Sequence, residues 1–394
     1  MLIKNGRVHN GLGDVVSQDL RINGDQIQTI GPNLAALDGE EIFDASGMEI
    51  FPGFVQPLSN WGVNGSMTEI RPSSNDNDER SNPIMPELDA FYAFNGRAAT
   101  AQQLGAFGLT SCGVGPADNN LFGGTIAMFC VDGINPYRMC MKRGCGMMAS
   151  VTPNLKKTYG SKQQAPQTRM WTFANFSLQL RKAAESQKQS DASNDIQKDP
   201  GQDDKLEALK KVLDGQLPLF VSCDSKTSAR QVWDILKDYP QVKLVLVNGF
   251  GLTGDEEWIV ENKIPLIVRT AASPLDRDAM TLNWNGIAKL WEKGVPVAFS
   301  GTCTNGLSAR EDMLWNGIEM MKILHDSSAV LPMLTSVPAK IMGVDHLTGS
   351  LQEGLRADIV IWNGNPLESY QAHIVRTYQG GRIIYREGDE MKCM

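Results

Sequence analysis

The sequence predicts a mixed α/β protein: a closed (β/α)8 barrel, TIM-like, carrying a small composite β-sandwich built from both chain ends. Three observations predict it. Short alternating strands with turn signals crowd residues 1–50 and 346–394. Between them, apolar runs ending in Gly, Ser or Asn alternate with helix-like stretches, over a span that suits a closed barrel better than an open sheet. The hydrophobic share, 42% of 394 residues, is enough for a large core without disulfide staples.

The elements follow in chain order. Residues 2–8 form the first strand and lead into a Gly-rich turn. Residues 19–22 and 26–30 alternate apolar and polar side chains around Asn23-Gly24-Asp25, a hairpin signal. Residues 41–44 are a further short strand. The runs 51–55, 110–115, 217–223, 242–248, 264–269 and 295–300 read as buried parallel strands. Helices are expected at 98–105, 206–213, 227–236 and 280–293. Residues 357–362 return the chain to the β domain, and 374–378 with 382–385 flank Gln379-Gly380-Gly381 as a second hairpin. The expected division is 1–50 with 346–394 for the sandwich and 51–345 for the barrel. Residues 185–205, polar and poor in apolar side chains, are expected as an exposed, flexible insertion. Met139, Met141, Met147 and Met148 are read as core filling.

Composition limits the function. A formal charge of −8, from 45 acidic and 37 basic residues, argues against a general nucleic-acid binder. No stretch approaches 18 consecutive apolar residues, and the start MLIKNGRVHNG has no apolar signal core, so no membrane partner and a cytoplasmic place are expected. Seven cysteines without a CxxC pair read as reduced thiols rather than a disulfide framework or a zinc knuckle. The four histidines, His9, His325, His346 and His373, are too scattered to pair locally on a metal.

Three segments carry a resemblance. Residues 50–55 read IFPGFV; residues 335–343, TSVPAKIMG, match the pattern T-x-N-P-A-x-x-L-G; residues 349–358, GSLQEGLRAD, match G-S-[LI]-x-x-G-x-x-A-D. On these the chain resembles the amidohydrolase superfamily. The Gly123-Gly124-Thr125-Ile126-Ala127 run and residues 154–160 make it look most like the imidazolonepropionase-like bacterial amidohydrolases. The resemblance implies the barrel-plus-sandwich fold and hydrolysis of C–N bonds by a metal-activated water. It places imidazole and carboxylate ligands at the C-terminal ends of the barrel strands.

Carried over position by position, the resemblance meets no such ligands. The opening P-G-[FLI]-[IV]-D-x-H-x-H motif falls on Pro52 to Asn60, so Gln56 stands for the acid and Leu58 and Asn60 for the two histidines. Pro153 stands for the strand-four glutamate, Ser222 and Asn248 for the strand-five and strand-six histidines, and Gly301 or Thr302 for the strand-eight aspartate. The expectation is therefore a pseudoenzyme with no metal, no cofactor and no catalytic residue, in a binding or regulatory role, with an active paralogue as a candidate partner. Two alternatives stay open. One is a metal-independent hydrolase of C–N bonds in a small cyclic or linear amide, with Asp224 and Cys303 as its strand-end candidates. The other is a conventional metal hydrolase with an unrecognised ligand set. Candidates for holding a small-molecule ligand at the barrel mouth are Asn60, Arg71, Asn75, Tyr159, Arg169, Ser222, Asp224, Asn248, Arg269 and Thr302. The arginines suit a carboxylate or phosphate. Homo-oligomerisation is expected from the resemblance alone.

Overall fold

The computed structural model describes residues 1–63, 76–77, 79–97, 101–192, 203–269, 282–301 and 309–389. They build two eight-stranded sheets. The first takes β1 (Leu2–His9), β2 (Val15–Asn23), β3 (Gln26–Gly31), β4 (Ile42–Asp44) and β5 (Glu49–Pro52) from the start of the chain. The second, barrel-like sheet takes β6 (Phe54–Ser59), β7 (Leu109–Val114), β8 (Phe122–Cys130), β9 (Cys140–Ser150), β10 (Leu219–Ser222), β11 (Leu244–Val247), β12 (Leu266–Arg269) and β13 (Val297–Ser300). The first sheet is completed from the chain end by β14 (Ile359–Trp362), β15 (Ile374–Gln379) and β16 (Arg382–Arg386).

The two chain ends meet where β14 pairs antiparallel with β5, Ile359 opposite Pro52 and Trp362 opposite Glu49. Both expected hairpins form, β2 with β3 and β15 with β16. The apolar run at 51–55 is divided between the sheets. Pro52 ends β5, and Phe54 opens β6. Gly53 makes the step because the Thr110 side chain packs on its backbone: a Cβ there would lie 2.1 Å from Thr110 Oγ1.

Glu40 ties the first sheet's margin together. It accepts Arg21 Nε at 2.9 Å, Arg21 Nη2 at 3.0 Å and the Leu37 N–H at 3.0 Å. The Arg21 bonds come first in holding its carboxyl at about 2, below the ordinary 4.5. A depressed folded-state carboxyl contributes stability that is present above the unfolded value and lost as pH falls through the folded one. Wild type is therefore expected to melt above Glu40→Gln at neutral pH. The gap should close as pH falls from about 5 to about 2, read by calorimetric scans of both proteins.

The fold class matches the expectation, with one strand reversed. β6 and β7 are parallel, β8 runs antiparallel to both β7 and β9, and β9 to β13 are parallel. The reversal follows from connection length. A parallel return needs a crossover of a dozen or more residues. Residues 115–121 are too few, so the chain leaves β7 and comes back as a hairpin. Sequence patterning identified neither β8 nor β9. Met139, Met147 and Met148 are nonetheless core residues, all buried.

The barrel interior is filled. Val55, Leu58, Ile126, Met128, Met148, Phe220, Val247 and Ile267 form one apolar cluster with Ala339 and Met342. The latter two belong to the helix Ser336–Met342, whose terminal carbonyls at Met342 and Gly343 accept Lys142 Nζ near the start of β9. That helix therefore plugs the N-terminal end of the barrel.

The expected flexible insertion at 185–205 is corrected on both flanks. Residues 185–192 complete the helix Arg169–Ala192. Asp203 caps the helix Asp204–Leu213, its carboxylate accepting the Lys205 N–H. Ala, Glu, Gln and Lys are good helix formers even where few apolar residues mark a buried face. Residues 193–202 lie outside the described residues. Among the described residues no helix is long and apolar enough to cross a membrane.

Candidate functional site

The C-terminal ends of the parallel strands mark the mouth end of the barrel, and the loop between β7 and β8 reaches the end of β10 there. Because β8 is reversed, residues 115–121 lie at this end and bring in Asp118, half-buried. Ser222 Oγ, at the end of β10, donates to Asp118 Oδ2 at 3.5 Å. Asn154 Nδ2 donates to Asp118 Oδ1 at 3.3 Å. Asn248 Nδ2, just past β11, donates to Ser222 Oγ at 3.4 Å. All three bonds are longer than the usual range, so the chain Asn248–Ser222–Asp118–Asn154 is a loose one. Asn248 sits at φ +72°, a left-handed backbone that Asn tolerates better than most residues. Residues held there cluster at functional sites. Arg269 ends β12 half-buried, opposite Ser300 in register and on the same strand face as the interior Ile267.

The positions aligned with the superfamily's ligands are otherwise employed. Gln56 is fully buried and closes the seam between β6 and β13, which no backbone ladder bridges among the described residues. Its amide nitrogen donates to the carbonyls of Leu58 at 3.0 Å and Gly301 at 3.1 Å, and its oxygen accepts the Gly301 N–H at 3.3 Å. Ser300 Oγ adds a bond to the Leu58 carbonyl at 2.7 Å. The Leu58 side chain packs into the barrel interior. Asn60 is half-buried just after β6, its carbonyl accepting the Val63 N–H. Pro153 is exposed and leads the helix Asn154–Gly160.

Other sequence candidates find partners of their own. Asp224 and Arg169 pair with each other at 3.4 Å. Asp224 also accepts Ser228 Oγ, and Arg169 Nη2 donates to Ser228 Oγ and Gln231 Oε1, both at 2.8 Å. The pair thus pins the helix Lys226–Leu236 to the start of Arg169–Ala192. Tyr159 is fully buried, its hydroxyl donating to Asn120 Oδ1 at 2.5 Å and lying 3.2 Å from the Glu79 carbonyl. It anchors the segment before β8. Cys223 faces the outer core, and burial pushes its thiol well above the ordinary range. Arg71, Asn75, Thr302 and Cys303 lie outside the described residues.

Sequence reasoning missed Asp118. It is the carboxylate that the described mouth residues gather around, yet nothing in the polar stretch PADNN sets it apart from a solvated turn. His9 pairs with Glu49 within the terminal sheet, and His373 with Glu387 at its margin. Among the described residues, no three His, Cys, Asp or Glu side chains converge as a metal site would require.

This architecture, a filled barrel whose polar strand ends face one mouth and whose termini form a second sheet, is that of the amidohydrolases. The family model described as "Amidohydrolase family" matches residues 183–385, more than half of the chain, and the chain belongs to that family. An amidohydrolase structure from Thermotoga maritima MSB8 is 25% identical, with a TM-score of 0.87 over 98% of this chain and 99% of that one. A prolidase complexed with N-methylphosphonate-L-proline superposes over 98% and 99% with a TM-score of 0.60 at 13% identity, a likeness of fold alone. Curated relatives match in short segments. A dihydroorotase of Bacillus pumilus (strain SAFR-032) is 46% identical over 54 residues, 14% of this chain and 12% of that enzyme. A 5-methylthioadenosine/S-adenosylhomocysteine deaminase of Desulforudis audaxviator (strain MP104C) is 32% identical over 114 residues, 24% of this chain and 25% of that enzyme. The matched stretches thus span a quarter or less of those relatives.

Proposed function

We propose that this chain is a binding or regulatory member of the amidohydrolase family, its barrel mouth holding a small polar ligand in place of a catalytic metal. The observation that carries the reading is the employment of Gln56 and Leu58. One is spent on closing the barrel seam and the other on filling the interior, so neither is available to a ligand at the mouth. A divalent ion held by this fold needs several imidazole or carboxylate donors. Asp118 with the hydroxyl of Ser222 and the amides of Asn154 and Asn248 does not fit that need. The same set suits a neutral or zwitterionic small molecule with both donors and acceptors, and Arg269 adds a cation for a carboxylate or phosphate. A competent paralogue sharing that ligand is the partner this reading favours.

The Ser222–Asp118 contact supports a second reading, a metal-independent hydrolase acting on the C–N bond of a small amide. That reading needs a base, and the contact is a long one.

Metal content tests the proposal directly. Protein purified without chelators, from cells grown with added zinc and manganese, is expected to carry less than about a tenth of an equivalent of any divalent transition metal. About one equivalent surviving dialysis would overturn the reading. Turnover of linear amides or lactams by the metal-poor protein, abolished by Ser222→Ala, would establish the second reading instead.

A further inference from the structure

A cavity of about 1010 Å³ lies at the opposite end of the barrel from the mouth. Its rim includes Pro218, Lys243, Pro265 and Pro296, each immediately before the start of β10, β11, β12 or β13. Val337, Lys340 and Ile341 of the plugging helix form one wall. The floor reaches Cys145 and Val245, which belong to the barrel interior. Trp233, Tyr239 and Trp291, all half-buried, supply aromatic surface.

The charge on this lining is one-sided. Lys142, Lys237, Lys243 and Lys340 contribute to it, and no Asp or Glu does. That runs against the chain's net charge of −8. Two of the four are engaged: Lys142 on the Met342 and Gly343 carbonyls, and Lys237 on Asp234 at 3.5 Å. Lys243 and Lys340 make no ion pair among the described residues, and both are exposed. An apolar, aromatic hollow with uncompensated cations in its wall suits an amphipathic anion. The ring or chain is removed from water against Trp and Pro, and the acid group stays near the ammonium groups.

We propose that this lower cavity is a second binding site, for an organic anion with an apolar body, its acid group met by Lys243 and Lys340. Such a site stands apart from the mouth chemistry and survives if the mouth reading fails. Binding of 2-naphthoate, measured by titration calorimetry, is expected to saturate. The matched neutral compound 2-naphthalenemethanol should bind more weakly, and the Lys243→Gln/Lys340→Gln variant should weaken naphthoate by roughly fivefold or more. Dodecanoate tests whether the apolar body is a chain rather than a ring, and binding of either anion with that lysine dependence supports the site. Hydrogen exchange locates it: protection by naphthoate at 240–245 and 337–343 is expected. Both lysines are exposed, so the variant should fold, and Lys340→Gln alone serves if it does not. No saturable binding of either anion, equal binding of the neutral compound, an unchanged variant, or protection confined to 115–121 and 222–224 would each overturn the proposal. A self-associated chain whose dissociation uncovers 337–343 without binding naphthoate would assign the hollow to a second copy instead, and also overturns it.

Discussion

Asp358→Ala is expected to cost about 3–5 kcal/mol of folding stability, the range for removing one partner of a buried ion pair. Asp358 is buried at the junction of the two sheets. Its carboxylate accepts Thr348 Oγ1 at 2.8 Å and the Gly380 N–H at 2.9 Å, and it faces Arg356 Nε at 3.4 Å. Its carbonyl accepts the Gly53 N–H at the step from β5 to β6. Burial raises this carboxyl, and the Arg356 charge opposes the rise. Alanine would remove the guanidinium's ion-pair partner and leave the Gly380 amide without its acceptor. Asp358→Asn keeps an acceptor of the same shape and should lose less. Urea unfolding followed by circular dichroism measures both. A loss below about 1 kcal/mol for the alanine variant would contradict the assignment of this carboxylate as the tie that holds Thr348, Arg356 and Gly380 together beside that step.

Gly113→Ala is expected to be nearly as damaging, about 3 kcal/mol, through overpacking rather than a lost bond. The register of β6 on β7 slips between Gln56 and Ser59: three steps on one strand match two on the other. The slip pushes the Pro57 carbonyl against β7. A Cβ on Gly113 would lie 2.0 Å from that oxygen, and a backbone atom cannot swing aside as a side chain does. Ser59 Oγ also donates to the Gly113 carbonyl at 2.8 Å, which pins the two strands in place. Gly160→Ala is the matched control. It ends the helix Asn154–Gly160 with nothing near its Cβ position, and alanine there should be neutral or slightly stabilising. Midpoints that fall alike in both variants would sink the packing argument.

The terminal sheet was legible because its strands alternate cleanly and its turns carry Asn-Gly-Asp and Gln-Gly-Gly, signals that act within a few residues. The parallel strands β10 to β13 were legible as short apolar runs before Ser, Asn, Arg or Gly. What escaped depended on distant contacts. β8 and the second half of β9 are buried on both faces and rich in Gly, Met and Cys, so neither a period of two nor a β-branched bias marks them. The end of Arg169–Ala192 is poor in apolar residues and reads as loop, although the helix as a whole packs against Asp204–Leu213. Asp118 acquires meaning only once the chain direction of β8 is known. Asp224 was recognisable as a charged group at a strand end and Arg169 as a candidate for the barrel mouth, but their choice of each other is set by the helix geometry around Ser228.

The reversed strand also bears on how the chain assembles. β7, β8 and β9 form a meander, each strand pairing with the next across a short connection. Closing β6 on β13 instead joins residues more than two hundred positions apart, as Gln56 meets Gly301. Loop closure grows costlier with separation, so local pairings form fastest. The meander is the natural nucleus of the barrel. It can pair as soon as residue 150 has left the ribosome, and the later parallel strands then add to an edge already in place, with the seam closing last.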